Sequence, residues 1–193
     1  QLQTVVSKIL LHERDINIPG DDPEWQQRAL MVCDRAVAWS RVEVMRQIRD
    51  RMLQDGFAEV DSAYSHYWDP LPISTIYNPV NDGASFVNYR GYGMRNAWYT
   101  PYFTSYDITS TLHNYDKLPV VTGIVCGGGD FASVDHDPNF GETWLRHGSS
   151  TQPRGAVAFI GPSEEDTHTR WNNTIDLGIY HGILQENLPR LGQ

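Results

Sequence analysis

Two stretches of the sequence pair reactive side chains with clustered glycines. One is Gly123-Ile124-Val125-Cys126-Gly127-Gly128-Gly129-Asp130-Phe131, and the other is Val87-Asn88-Tyr89-Arg90-Gly91-Tyr92-Gly93-Met94. Each follows a run that reads as a buried strand, and in open α/β sheets functional groups collect where the chain leaves the carboxyl end of a strand. A thiol there, followed by glycines whose amides can approach a reacting oxygen, suits nucleophilic attack with oxyanion stabilisation. Cys126 also has a plain structural reading, since cysteine is among the most buried residue types and often ends strands without reacting. Cys33, at the end of another strand pattern, carries only that structural reading.

The order of features is specific. A strand with Asn-Tyr-x-Gly-x-Gly is followed by Leu-Pro, an apolar strand and Cys-x-x-Gly-x-Phe, and this order resembles the gingipain family of caspase-like cysteine peptidases. Phe140-Gly141-Glu142-Thr143-Trp144-Leu145-Arg146 is similar to the family's helix after the catalytic loop, and Gly155-Ala156-Val157-Ala158-Phe159-Ile160-Gly161 to its next strand. The opening segment from Leu2 to Leu10 and the segment from Gly56 to Tyr64 fit as well, so the resemblance covers nearly the whole chain.

The resemblance implies an α/β, caspase-like fold: a mostly parallel sheet flanked by helices. It implies a cysteine endopeptidase with Cys126 as nucleophile, with the amides of Gly93 and Cys126 on the oxyanion and Gly127 beside them. It further implies a secreted or cell-surface, multidomain protein with an additional N-terminal subdomain, of which these residues are one catalytic unit. The expected partners are a protein or peptide substrate and other domains of the same polypeptide.

One position departs from the pattern. The residue between the two glycines of Gly-x-Gly is histidine in that family, and here it is Tyr92. Imidazole can take a thiol proton near neutral pH, whereas a phenol with an ordinary pKa of about 10 is a poor base. Two outcomes follow: a working peptidase with another base, or a catalytically inactive pseudopeptidase that serves as a binding or structural module.

His168, in Thr167-His168-Thr169-Arg170-Trp171-Asn172-Asn173, is the substitute base to consider, because the loop after the fifth strand reaches the same sheet edge as Cys126. By resemblance this loop helps build the pocket for the residue before the scissile bond, which makes Trp171 a substrate-binding candidate. The alternative for His168 is to cap the helix that follows. Glu164-Glu165-Asp166 could attract a basic substrate side chain, although exposed acids need no such explanation. His12, His66, His113, His147 and His181 fall on or beside regular elements and read as surface or packing residues.

Asp130, Asp135, His136 and Asp137 could together hold a hard cation such as calcium through oxygen ligands, or form an ordinary solvated turn. No other metal or cofactor is expected. Gly127-Gly128-Gly129 lacks the lysine and serine or threonine of a phosphate-binding loop and the spacing of a dinucleotide fingerprint.

The elements that must position these residues alternate between short β-branched runs and helical patterns, the mark of βαβ units. Strands are expected at Arg28 to Cys33, Phe57 to Tyr64, Ala84 to Tyr89, Leu118 to Val125 and Gly155 to Gly161. Helices are expected at the amino end, with Leu2, Val5, Val6, Ile9 and Leu10 as an apolar stripe, then at Ser40 to Gln54, Ile73 to Tyr77, Asn139 to His147 and Trp171 to Glu186. Ser40, with Glu43 three residues on, reads as a capping box, and a turn is expected over Ile18 to Pro23.

Composition narrows the partners. The 193 residues are 40% hydrophobic and 20% charged, as in an ordinary globule, and no linker or repeat divides them. A net charge of -9 without a basic run argues against nucleic acid. The longest apolar stretches are too short to cross a bilayer.

Overall fold

The computed structural model describes residues 1–14, 23–35, 39–186 and 188. Most of the expected turn at Ile18 to Pro23 lies outside them. The elements run α1 (Leu2–Arg14), a 3-10 turn (Pro23–Gln27), β1 (Arg28–Asp34), α2 (Trp39–Gln54), β2 (Glu59–Ser65), α3 (Ser74–Asp82) and β3 (Phe86–Arg90). They continue with β4 (Gly93–Met94), β5 (Ala97–Tyr99), β6 (Tyr102–Thr104), α4 (Ser105–Thr111), β7 (Val120–Gly123), α5 (Phe140–Arg146), β8 (Ala158–Ile160) and α6 (Thr169–Leu184).

Five strands form one parallel sheet in the order β2-β1-β3-β7-β8. Helices cover both faces, which is why β1 reads as a continuous apolar run. Its alternate residues divide between two cores: Ala29, Met31 and Cys33 pack with Val42, Met45 and Ile48 of α2 and Tyr180 of α6. Leu30 and Val32 join the opposite core, with Ile76 and Val80 of α3, Ile108 of α4 and Phe140 and Trp144 of α5. The expected α/β architecture of a caspase-like sheet between helices is therefore present.

The site-bearing strands sit at the middle of this sheet. β3 pairs with β1 on one side and β7 on the other, with Asn88 opposite Thr122 and Tyr89 opposite Gly123. A second, antiparallel sheet of β4, β5 and β6 follows β3 and inserts Trp98 and Phe103 into the core below α5. It was absent from the sequence-based expectation, because strands of two or three residues carry no readable alternation. α4 was missed too, although Thr104 and Asp107 form a capping box at its start.

Three local expectations are corrected. Ser40 lies inside α2, its hydroxyl accepts from Asn173 Nδ2 (3.1 Å), and Glu43 pairs with Arg46 (3.1 Å) in place of a cap. α3 runs on to Asp82 through Pro79, past the expected end at Tyr77. On α1 the apolar residues Leu2, Val6, Ile9 and Leu10 are exposed, whereas Thr4 and Lys8 are buried. Lys8 Nζ donates to the carbonyls of Leu145 (2.7 Å), Trp144 (3.3 Å) and Ala156 (3.4 Å), so its charge sits at the carboxyl end of α5, where unpaired carbonyls favour a cation.

Candidate active site

The turn after β3 is built by close approach. Tyr89 is fully buried, stacks on Trp98 (centroids 4.4 Å apart, 7° between planes) and donates from its hydroxyl to the Tyr92 carbonyl (2.7 Å). Burial holds the Tyr89 phenol well above its ordinary pKa, so it remains a donor. A Cβ at Gly91 would run into that hydroxyl, and one at Gly93 would come within 2.6 Å of Val125 Cγ2. The two glycines of the Gly-Tyr-Gly turn are thus required by packing, and they deliver the Tyr92 ring to the surface, 45% exposed.

The Tyr99 amide donates to the Tyr92 carbonyl (3.0 Å), and Gly93 is paired with Trp98 across the β4–β5 ladder. In an antiparallel pair hydrogen-bonded positions alternate, so the Gly93 amide points to the far edge of β4. The face of the Tyr92 ring is covered by Arg41, whose guanidinium carbon lies 4.4 Å from the ring centroid. Arg41 is buried and also bonds Asp34 at the end of β1 (3.3 Å) and the Thr169 hydroxyl at the start of α6 (3.1 Å). It therefore links the ends of β1 and β3 to α6.

Cys126 follows β7 and is partly buried. Its sulfur lies 3.3 Å from Thr167 Oγ1 and 3.9 Å from the Thr167 carbonyl oxygen, and Asn172 Nδ2 donates to Thr167 Oγ1 (2.8 Å). Gly127 has φ +64°, a left-handed conformation that favours glycine, and its amide donates to the Glu164 carbonyl (2.8 Å). That amide is committed, so Gly127 shapes the turn and is not a free oxyanion donor. Among the described residues, the amides of Cys126 and Gly128 donate to no protein group.

The loops after β7 and β8 are tied together. Besides the Gly127 bond, the Gly129 amide donates to the Pro162 carbonyl (2.9 Å). Arg95, in the turn between β4 and β5, bonds Asp130 (2.8 Å) through Nε and Glu165 through a close NH1 contact. Glu165 is thus already paired, while Glu164 and Asp166 are exposed.

His168 is the residue before α6 and is exposed; its Nδ1 accepts from the Arg170 amide (3.1 Å), which is the capping role. Trp171 is 58% exposed on the first turn of α6, with the Arg170 guanidinium 4.3 Å from its ring centroid. Among the described residues, the side chain hydrogen-bonded to Cys126 is that of Thr167, one residue before His168. Nothing local marks it, since a threonine two residues before a helix is commonplace.

A polar seam runs beneath the site between the sheet and α6. Asn88 donates to Asp176 (3.1 Å), Arg90 bonds Asn173 (2.7 Å) and, through a close contact, the Ile124 carbonyl, and Tyr180 donates to Thr122 (3.3 Å). Burial pushes the Asp176 carboxyl up to about 7, against the pull of Arg90. Cys33 lies on the same face, where burial pushes its thiol up to about 12.

Of the two readings of Asp130, Asp135, His136 and Asp137, the cation site finds no support in the described residues. Among the described residues no group of three or more His, Cys, Asp or Glu side chains is placed to hold a metal ion. Asp130 is paired with Arg95 (2.8 Å) and Asp137 with Arg146 (2.5 Å), so arginines neutralise two of the four proposed ligands. Among the described residues no helix is long and apolar enough to cross a membrane.

Comparison with known proteins agrees with this fold. Gingipain R2 of Porphyromonas gingivalis is 28% identical over 166 residues, which are 82% of this chain and 21% of that protein. Lys-gingipain W83 of the same organism is 27% identical over 165 residues, 84% of this chain and 9% of that protein. The crystal structure of the Arg-specific cysteine proteinase gingipain R superposes with a TM-score of 0.83 at 24% identity, covering 97% of this chain and 42% of that one. A complex of gingipain pro- and mature domains superposes with a TM-score of 0.78, covering 93% of this chain and 42% of that one. The chain thus spans well under half the length of the relatives it matches. The sequence pattern of Peptidase family C25 matches residues 1–193. The chain belongs to peptidase family C25.

Proposed function

We propose that this chain is the catalytic portion of a cysteine endopeptidase with Cys126 as nucleophile. The observation that carries the reading is the placement of Cys126 and Tyr92 just beyond the carboxyl ends of the adjacent parallel strands β7 and β3, with the Cys126 amide unspent. The thiolate attacks a peptide carbonyl carbon, and the C–S bond forms as the carbonyl electron pair moves to oxygen. The amides of Cys126 and Gly93 donate to that oxyanion. Collapse breaks the C–N bond, the amine leaves with a proton, and water then hydrolyses the thioester.

The Tyr92 hydroxyl can offer a hydrogen bond to the leaving amine, a role that suits a phenol better than removal of the thiol proton. His168 is the other proton-handling group. Because its Nδ1 accepts from Arg170, its neutral ring carries hydrogen on Nε2, and it must leave the helix cap to act as a base. Trp171, exposed on the first turn of α6, offers an apolar face to substrate. The family relationship supports a secreted or cell-surface protein whose other domains flank this unit.

One observation favours a second reading, a pseudopeptidase acting as a binding or structural module. Among the described residues, both hydrogen-bonding contacts of the Cys126 sulfur are atoms of Thr167, and neither is an imidazole. A mixed peptide library separates the two. Cleavage by wild type that Cys126→Ala abolishes and Tyr92→His increases supports the endopeptidase; folded but inert wild type and Tyr92→His would leave the binding module.

A further inference from the structure

We propose that Thr167 is a catalytic residue of this site, its hydroxyl donating a hydrogen bond to the Cys126 thiolate, and that Asn172 is the positioning residue that aims that hydroxyl. The proposal rests on reading Cys126 as the nucleophile and identifies a hydrogen-bond donor to its sulfur where, among the described residues, no imidazole is hydrogen-bonded to it.

The direction of the bond follows from the network. The 3.3 Å contact between Cys126 Sγ and Thr167 Oγ1 leaves either atom free to donate. Asn172 constrains this, because its amide nitrogen has hydrogens and no acceptor site, so the 2.8 Å bond to Thr167 Oγ1 occupies one of two oxygen lone pairs and leaves the hydroxyl hydrogen unspent, while a thiolate has no hydrogen and can only accept. The threonine hydrogen is then left to point at sulfur. Asn172 is only 5% exposed, on the first turn of α6, so water does not compete readily for its amide.

The protonated thiol can donate to either Thr167 oxygen, the carbonyl at 3.9 Å or the hydroxyl at 3.3 Å. The ionised sulfur can only accept, and the short contact supplies the donor. A hydrogen bond to an ionised acceptor is about twice as strong as its neutral counterpart, so the arrangement favours thiolate over thiol. No reorganisation is needed at the moment of reaction, since the loop carrying Thr167 is fastened to the loop carrying Cys126. The fastenings are the bonds of Gly127 to Glu164, Gly129 to Pro162 and Arg95 to Glu165.

The charged and titratable groups around this pair include Arg95, Asp130 and Glu165 near Gly127, Arg90 on the Ile124 carbonyl, Arg41 and Tyr92 at the β3 exit, and Asp166 and His168 on either side of Thr167. Substitutions at Thr167 leave all of them in place. Thr167→Val keeps the shape and deletes the hydroxyl, Thr167→Ser keeps the hydroxyl, and Asn172→Asp presents a carboxylate that would draw the hydroxyl hydrogen away from sulfur.

The measurement is the rate of alkylation of Cys126 by iodoacetamide from pH 5 to 10, followed by peptide mapping, with unmodified Cys33 as the internal sign of a folded chain. Thr167→Val is expected to slow alkylation near pH 7 roughly tenfold and to move the midpoint of the profile up by about one pH unit. Asn172→Asp should shift it in the same direction, and Thr167→Ser should keep the wild-type profile. A folded Thr167→Val or Asn172→Asp protein with the wild-type rate and midpoint overturns the proposal. Peptide cleavage is scored separately: a shifted profile in a protein without cleavage retains the hydrogen bond and removes the endopeptidase reading, whereas cleavage with an unshifted profile does the reverse.

Discussion

The guanidinium of Arg41 packs 4.4 Å from the centre of the Tyr92 ring while its NH1 holds Asp34 at 3.3 Å, both partners of the ion pair being almost fully buried. Tyr92, between the two glycines of the turn after β3, is thus braced by a buried charge pair. Arg41→Met would leave the Asp34 carboxylate without this partner, and such truncations cost about 3–5 kcal/mol. We expect a urea midpoint well below that of wild type for Arg41→Met and a milder loss for Arg41→Lys. Equal stability of all three proteins would show that the pair is not needed.

The two cysteines should differ sharply in reactivity. Cys33 is fully buried, with its thiol pushed up to about 12, whereas Cys126 is partly exposed on a loop. Iodoacetamide at neutral pH should label Cys126 alone in the native protein, and both residues in urea. Comparable native labelling of Cys33 in peptide maps would contradict the packing of β1 against α2.

Removing the His168 ring should act on stability before chemistry. Its Nδ1 satisfies the Arg170 amide at the start of α6, and loss of a side-chain cap costs about 0.5–2 kcal/mol. His168→Ala should lower Tm by a few degrees, about 2–4 °C per kcal/mol for a chain of this size, and leave Cys126 alkylation near wild type. A large fall in peptide cleavage without a change in Tm would instead assign the ring to catalysis.

Asp176 makes stability depend on pH. Its folded-state pKa, about 7, lies above the ordinary aspartate value, so the native state keeps a proton that the unfolded chain releases. The resulting stabilisation is fully present below about pH 4 and is lost as pH rises from about 4 to about 7. Asp176→Asn removes this dependence while keeping an oxygen to accept from Asn88. Compared with wild type, it should gain stability on going from pH 5 to pH 8 in urea titrations. A constant difference between the two proteins across that range would mean that Asp176 is ionised throughout.

Much of this arrangement was legible in the chain itself. Near-continuous apolar runs located β7 and β8, as strands covered on both faces require, and alternation of apolar and polar residues located β2, with all five parallel strands placed to within a few residues. The two glycine-flanked turns at Tyr92 and Cys126 pointed to one sheet edge, and β3 and β7 are indeed neighbours. The first helix was harder, since periodicity reveals an apolar stripe but not which face is buried; Lys8, bound by three carbonyls of distant residues, turned inward in its place.

What only the tertiary structure decided are pairings between residues far apart in the chain. Thr167 meets Cys126 across 41 positions, and Arg41 meets Thr169 across 128. Such contacts depend on how loops from β1, β3, β7 and β8 converge above the sheet, and no local spacing encodes that convergence. His168 is the local exception, its ring accepting from the Arg170 amide two residues on at the start of α6. Local sequence sets strands, helices and tight turns through backbone and side-chain periodicity, whereas the partner of a reactive sulfur is set by packing of the whole chain.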